Sequence, residues 1–324
     1  YDIQAATKSG IKEWLVYACV PPDLLRQRIK SAQMGVLGSK ITAAKTTEFS
    51  MQKRDVFVLR VSGMTPSKKF AKSLPVTAHF ATVLFKSKLV RGPSRNVRSE
   101  PSKSEQSNNL TTSYSLDFNS SVFQRWLTLK KLRRYPDESD LQFAFRTFLF
   151  IKSKYSYFWD HDLDRRVSKT CLTKSSDCGG LSYLFCGILR ANGVPARPLI
   201  GRWARSTDTM ENDSSYFNCH VKSEFYAAGV GWVPVDISEF IGHLNSNPFS
   251  YFGNDEGDFI VMHVDTDLVL PDIGKCKDII RSLPDFRVWA LANSSDVVSN
   301  FHRQIHWRVV SIKKRKTSRS RRFS

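Results

Sequence analysis

Residues 92–113 run through Pro, Ser, Asn and charged side chains with no periodic apolar position, and this interruption constrains what the rest of the chain can build. A segment without an apolar face cannot bury enough surface to offset its own ordering, so it reads as a linker or long loop that holds a boundary. Before it the pattern is that of a sheet. Residues 13–20 are apolar and β-prone and stop at Pro21-Pro22, while residues 55–62 and 76–90 are rich in Val, Phe and Leu in partial alternation. A chain of 324 residues has room for two domains, and 41% hydrophobic against 24% charged residues is the composition of a folded protein.

After the interruption the period changes. Beyond Tyr135-Pro136, the capping and acidic residues Asp137, Glu138, Ser139 and Asp140 lead into Leu141, Ala144, Phe145, Phe148, Leu149 and Ile151. These steps of three and four predict a helix with one buried face. A second helix is predicted over residues 178–192, with Leu181, Leu184, Phe185, Ile188 and Leu189 on its apolar face, a stop at Asn192-Gly193 and Pro195 just beyond. Strands are predicted over residues 198–203, 220–226 and 231–235, with Gly229 in the turn between the last two. The expected fold class is therefore α+β, with a helix laid on an antiparallel sheet.

This order places Cys178 in the first turn of a helix. A cysteine reacts as thiolate, and the helix dipole together with a neighbouring imidazolium stabilises that anion. Gly179 and Gly180 leave the helix start uncrowded, which admits a substrate backbone to the sulfur. If residues 220–236 form a hairpin turning at Ala228-Gly229, Asp236 ends near His220 and fixes its orientation. Each residue alone has a plainer reading, as a buried structural cysteine, a packed strand histidine and a turn-capping aspartate.

Together they resemble the core of the transglutaminase-like superfamily. The resemblance is carried by Ser176-Asp177-Cys178-Gly179-Gly180-Leu181, by the run from Leu189-Arg190 through Gly193 and Pro195 to Arg197, by His220 followed by Glu224-Phe225-Tyr226, and by Gly231-Trp232-Val233-Pro234-Val235-Asp236. Tyr251-Phe252-Gly253-Asn254 and Asp265-Thr266-Asp267-Leu268 look like bacterial members of the group. The resemblance covers residues 137–271. It implies a papain-like core behind a β-rich domain, with Cys178 as nucleophile, His220 as general base and acid, and Asp236 as the orienting carboxylate. It also implies a protein or peptide amide as substrate and no cofactor. Val221 and Lys222 depart from the pattern, since an aromatic residue often follows the family histidine. On this reading residues 1–91 are the β-rich domain, 92–113 the linker, 114–312 the catalytic domain and 313–324 a disordered basic tail. The oxyanion donor is expected to be the Cys178 backbone N–H.

Charge adds a second theme. With 49 basic and 30 acidic residues the chain carries +19, and removing the seven basic residues of 313–322 still leaves about +12. That field predicts nonspecific contact with polyanions, and the rival to an enzyme is a binding module that holds an acidic partner on the same fold. Nucleic-acid recognition has only the charge in its favour. Six cysteines without metal spacing exclude a disulfide-dense fold and leave Cys19 or Cys276 as disulfide candidates. Cys186 and Cys219 are expected to pack, Arg190 and Arg197 to hold the helix end, and His243, His263, His302 and His306 to form no metal cluster. Residues 254–258 are acidic enough for calcium but lack EF-hand spacing, and read as a solvated turn. No apolar run reaches the length of a membrane span. The compartment stays open, and removal of a leader ahead of Tyr1 would make the protein secreted or periplasmic.

Overall fold

The computed structural model describes residues 2–5, 13–62, 73–90, 101–204, 219–271, 280–291, 297–298 and 301–304. Cys276, His306 and the basic run 313–322 lie outside them. Strand Glu13–Cys19 is central to a five-stranded antiparallel sheet, with Asp55–Val61 and then Ala44–Thr47 on one side and Arg287–Leu291 and then Val297–Val298 on the other. A four-stranded sheet runs Phe301–Gln304, Asp2–Ala5, Ser73–Leu84, Gln27–Val36. Trp14, Val16 and Ala18 face Met34, Val36, Leu74 and Val76 between these sheets, while Leu15, Tyr17 and Cys19 pack against Leu268, Leu270 and Leu283 on the other side. A strand buried on both faces needs apolar residues throughout, which is why residues 14–19 show no alternation.

The expected division at residues 91 and 312 needs correction. Strands Arg287–Leu291 and Phe301–Gln304 pair with the first two strands of the chain, so the β-rich part is built from both ends of the sequence. The expected linker also holds structure, since Lys103–Asn108 is a helix capped by Ser102, and Glu105 of that helix pairs with Arg197. The strand expected over residues 76–90 ends at Leu84, and Ser87–Lys88 then pairs with Asn254–Asp255. Cys19 is a buried free thiol rather than a disulfide partner, and burial pushes it up to about 12.

Further along the chain, helix Asp140–Lys154 starts with the capping box of Ser139 and Gln142. Its buried face is Phe143, Ala144, Thr147, Phe148 and Ile151, and the predicted core residue Leu149 is exposed instead. Helix Cys178–Arg190 is buried along its whole length rather than on one face. It is wrapped by helix Asp140–Lys154, by Val167, and by the antiparallel sheet Gly231–Val235, Cys219–Ala227, Ala196–Trp203, Phe259–Val264. Gly187 permits this, because a Cβ there would lie 2.7 Å from Val167 Cγ1. Among the described residues no helix is long and apolar enough to cross a membrane.

Candidate active site

Cys178 is the first residue of its helix, and the Asp177 side chain caps that helix by accepting from the Gly180 N–H at 3.0 Å. Arg165 donates to the other oxygen of Asp177 at 2.8 Å, which ties the preceding loop to the helix start. Ser175–Ser176 pairs in parallel with Ser156–Tyr157, and the Phe158 N–H donates to the Ser176 carbonyl. The half-exposed aromatic run Tyr157-Phe158-Trp159 is thereby anchored beside the segment that enters Cys178. A Cβ on Gly180 would run into Ser176 Oγ, so the tight entry needs glycine.

The cysteine helix is fastened to the histidine strand Cys219–Ala227 one turn further on. Ser182 Oγ donates to the Val221 carbonyl at 3.0 Å, and Ser223 Oγ donates to the Ser182 carbonyl at 3.4 Å. His220 stands opposite Gly201 in the neighbouring strand. A side chain at Gly201 would collide with the Ile260 carbonyl, so the glycine lets strand Phe259–Val264 close up behind the histidine. On the other side Ser223 pairs with Val235, and one residue on the hairpin delivers Asp236 to the face that carries His220.

His220 Nε2 lies 3.0 Å from Asp236 Oδ2 and 3.2 Å from Oδ1, and Cys178 is near enough to act on the charge of the ring. With Nε2 engaged by the carboxylate, Nδ1 is the ring nitrogen left for the sulfur. Burial works against a charged His220, but the Asp236 charge, its hydrogen bond and Cys178 outweigh that and raise the imidazole far above the usual histidine range. Burial likewise pushes the Asp236 carboxyl up, and the facing His220 with a smaller contribution from Lys222 overcomes this and holds it below the usual carboxylate range. Asp236 also caps the short helix Ile237–Gly242, accepting from the Glu239 N–H at 3.2 Å. The structure thus brings Cys178, His220 and Asp236 into one buried constellation. The first-turn N–H groups of the cysteine helix have no intrahelical acceptor, which makes those of Cys178 and Gly179 available to an oxyanion.

Aromatic rings wall the histidine. Trp203 is stacked on it with centroids 4.7 Å apart, and Phe259 meets it edge-on at 5.9 Å. Lys222 is buried at the same wall, 4.6 Å from the Trp203 centroid, and its ammonium is 3.3 Å from Asp255 Oδ2. The sequence reading noted Lys222 only as a departure from the family pattern, and it missed Trp203, Phe259 and the Asp177–Arg165 pair. Lys222 was accessible by parity, since it lies two residues from His220 on a strand, whereas Phe259 is joined to the site only by strand pairing.

The other sequence candidates have structural partners. Arg190 donates to the Ala196 and Thr111 carbonyls and to Asp265, and Arg197 bridges Glu224 and Glu105 under the Trp232 ring. Cys186 is fully buried, which pushes its thiol up to about 12. Cys219 is half-buried with Sγ 3.8 Å from Asp285. His263 is a buried neutral ring that takes the Leu283 N–H and contacts the Asp265 carbonyl; burial first, and Arg54 second, pull it down to about 3. In the acidic turn Asp255 and Glu256 are engaged by Lys222 and Lys86, and among the described residues no three His, Cys, Asp or Glu side chains could hold a metal ion.

Residues 130–237 match the sequence model of the Transglutaminase-like superfamily, an interval that includes all three residues of the constellation. These residues form a transglutaminase-like core. The fold around that core is similar to the crystal structure of a candidate cysteine protease from Cytophaga hutchinsonii, with a TM-score of 0.51 over 96% of this chain and 92% of that one. At 11% identity this likeness speaks to the fold alone. The periplasmic domain of TgpA from Pseudomonas aeruginosa is similar at 10% identity and a TM-score of 0.37, over 74% of this chain and 88% of that one. An uncharacterized protein of Haemophilus influenzae is 30% identical over 94 residues, which are 25% of this chain. The match spans only 25% of the length of that curated relative.

Proposed function

We propose that the protein is a cysteine-dependent acyl-transfer enzyme acting on protein or peptide amides, with Cys178 as nucleophile, His220 as proton carrier and Asp236 as the carboxylate that orients it. The observation that supports this most is the buried His220–Asp236 pair, with Nε2 3.0 Å from Oδ2, next to Cys178 at the first turn of its helix. The Cys178 thiolate adds to the carbonyl carbon, and the first-turn N–H groups receive the oxyanion. As the tetrahedral species collapses, the carbon–nitrogen bond breaks and protonated His220 gives its proton to the leaving amine or ammonia. The resulting thioester is resolved when His220 takes a proton from water or from a primary amine, which then attacks and restores the Cys178 thiolate. Hydrolysis gives a protease or amidase, and attack by an amine gives a transglutaminase. We place hydrolysis first.

The test is the pH dependence of iodoacetamide alkylation at Cys178, mapped by peptide mass spectrometry in the parent and in His220→Ala. Fast labelling at mildly acidic pH that slows in the variant supports the reading, and labelling at the rate of an ordinary thiol in both removes it. A glutamine-containing protein incubated with and without a fluorescent primary amine then separates the two resolutions, because only a transferase incorporates the label.

A further inference from the structure

His220 and Lys222 stand two residues apart on strand Cys219–Ala227 and share a face of the sheet. Lysine at the margin of a sheet ordinarily runs its stem over apolar surface and leaves its ammonium in water. Lys222 does not, and its side chain is only 7% exposed. The ammonium sits 4.6 Å from the Trp203 centroid, 5.0 Å from the Phe259 centroid and 3.3 Å from Asp255 Oδ2. Trp203 and Phe259 are also the two rings that contact His220. Bringing a buried ammonium to this position costs several kcal/mol of desolvation, offset here by one carboxylate and two ring faces. Its placement against the walls of the histidine is therefore a specific arrangement and not a consequence of filling space.

We propose that Lys222 is a positioning residue of the active site, which holds Trp203 and Phe259 against His220 and, through its fixed positive charge, sets the upper pH limit at which His220 keeps its proton opposite the Cys178 thiolate. The inference rests on the cysteine-nucleophile reading above. Among the described residues, the titratable and charged groups around His220 are Cys178 from the helix, Asp236 from the end of the hairpin and Lys222 from its own strand, with Asp255 facing Lys222 and Glu256 facing Lys86 in the adjoining turn. Cys178 thiolate and Asp236 favour the imidazolium and Lys222 opposes it. The two members of the Lys222–Asp255 pair consequently act on His220 with opposite signs. Removing the ammonium and leaving the Asp255 carboxylate strengthens proton binding at His220. Removing the carboxylate and leaving the ammonium weakens it.

The experiment is the alkylation profile of Cys178 with iodoacetamide from pH 4 to 11, in the parent, His220→Ala, Lys222→Met, Lys222→Arg and Asp255→Asn. The alkaline inflection reports loss of the His220 proton from the ion pair. Lys222→Met is expected to move it up by about one pH unit and Asp255→Asn to move it down by a similar amount, a tenfold change in proton affinity each way. Lys222→Arg keeps charge and ring contacts and should leave the inflection with the parent. Damage to packing alone would shift both single variants in one direction, so the opposite signs distinguish positioning from a structural role, and either variant that folds decides its own sign. If the parent and His220→Ala behave as a His-activated thiolate while Lys222→Met and Asp255→Asn leave the inflection unmoved, this inference is wrong and the cysteine reading survives. If the parent labels like an ordinary thiol, both fall.

Discussion

The indole of Trp203 lies face to face with the imidazole of His220, the ring planes 24° apart and the centroids separated by 4.7 Å. An imidazole held on one edge by Asp236 still has a rotation about that hydrogen bond available, and the stacked indole closes it. Trp203→Ala should fold, because Trp203 is only partly buried. It should lower the rate of Cys178 alkylation at mildly acidic pH about two- to twelvefold, in keeping with the ~0.5–1.5 kcal/mol of an aromatic pair. Trp203→Phe should recover most of that loss, and equal rates in the alanine variant and the parent would remove the indole from the site.

The Asp236 carboxylate should make stability depend on alkaline pH. Folding raises the His220 pKa from its ordinary 6.5 to about 10 despite burial, through Asp236 and Cys178. A group that binds its proton more tightly in the folded chain stabilises the fold fully below its unfolded pKa, and the gain is lost as pH climbs to the folded value. Urea denaturation of the parent should therefore show stability declining between about pH 6.5 and 10. Asp236→Asn should flatten that decline. The acid side runs the other way, since Asp236 is held below the ordinary carboxylate range and its contribution disappears as pH falls through that lowered value.

At Gly201 a single added methyl group would meet backbone. A Cβ there would overlap the Ile260 carbonyl oxygen and press on the ring of Phe259, which itself contacts His220. Gly201→Ala should cost ~2 kcal/mol or more, as overpacking against rigid backbone does. The same variant should slow Cys178 alkylation, because strand Phe259–Val264 must move away from the histidine. A denaturation midpoint equal to that of the parent would show that the strand yields freely.

Arg54 ties the β-rich part to residues 264–267, at the end of strand Phe259–Val264. Its guanidinium donates to the carbonyls of Val264, Asp265, Thr266 and Asp267 and to the buried Glu48. Arg54→Met leaves a buried carboxylate and four carbonyls without their donor, at an expected cost of ~3–5 kcal/mol. Adding Glu48→Gln should recover a substantial part of this by removing the stranded charge. Urea denaturation of the single and double variants measures both effects, and additivity of the two losses would contradict the coupling.

What the sequence determined by itself was local. The start of the cysteine helix at residue 178, its stop at Asn192-Gly193 and the turn at Gly229 followed from residue pattern and backbone freedom, and the structure puts the helix start at 178 and a positive φ at both glycines. The hairpin turn and strand alternation also predicted that Asp236 would arrive beside His220, because a short hairpin fixes register through its turn. Only the tertiary structure decided the return of strands Arg287–Leu291 and Phe301–Gln304 to the start of the chain. A pairing partner 270 or more residues away leaves no periodic trace in either segment. It also decided that Leu149 faces water while Phe143 and Thr147 face the core, since a helix with apolar residues on several sides is oriented by its neighbours and not by its own pattern. The burial of Lys222 belongs to the same class. A lysine in a strand signals solvent in any local rule, and what holds it inside are Asp255, Trp203 and Phe259, groups that folding alone gathers around it.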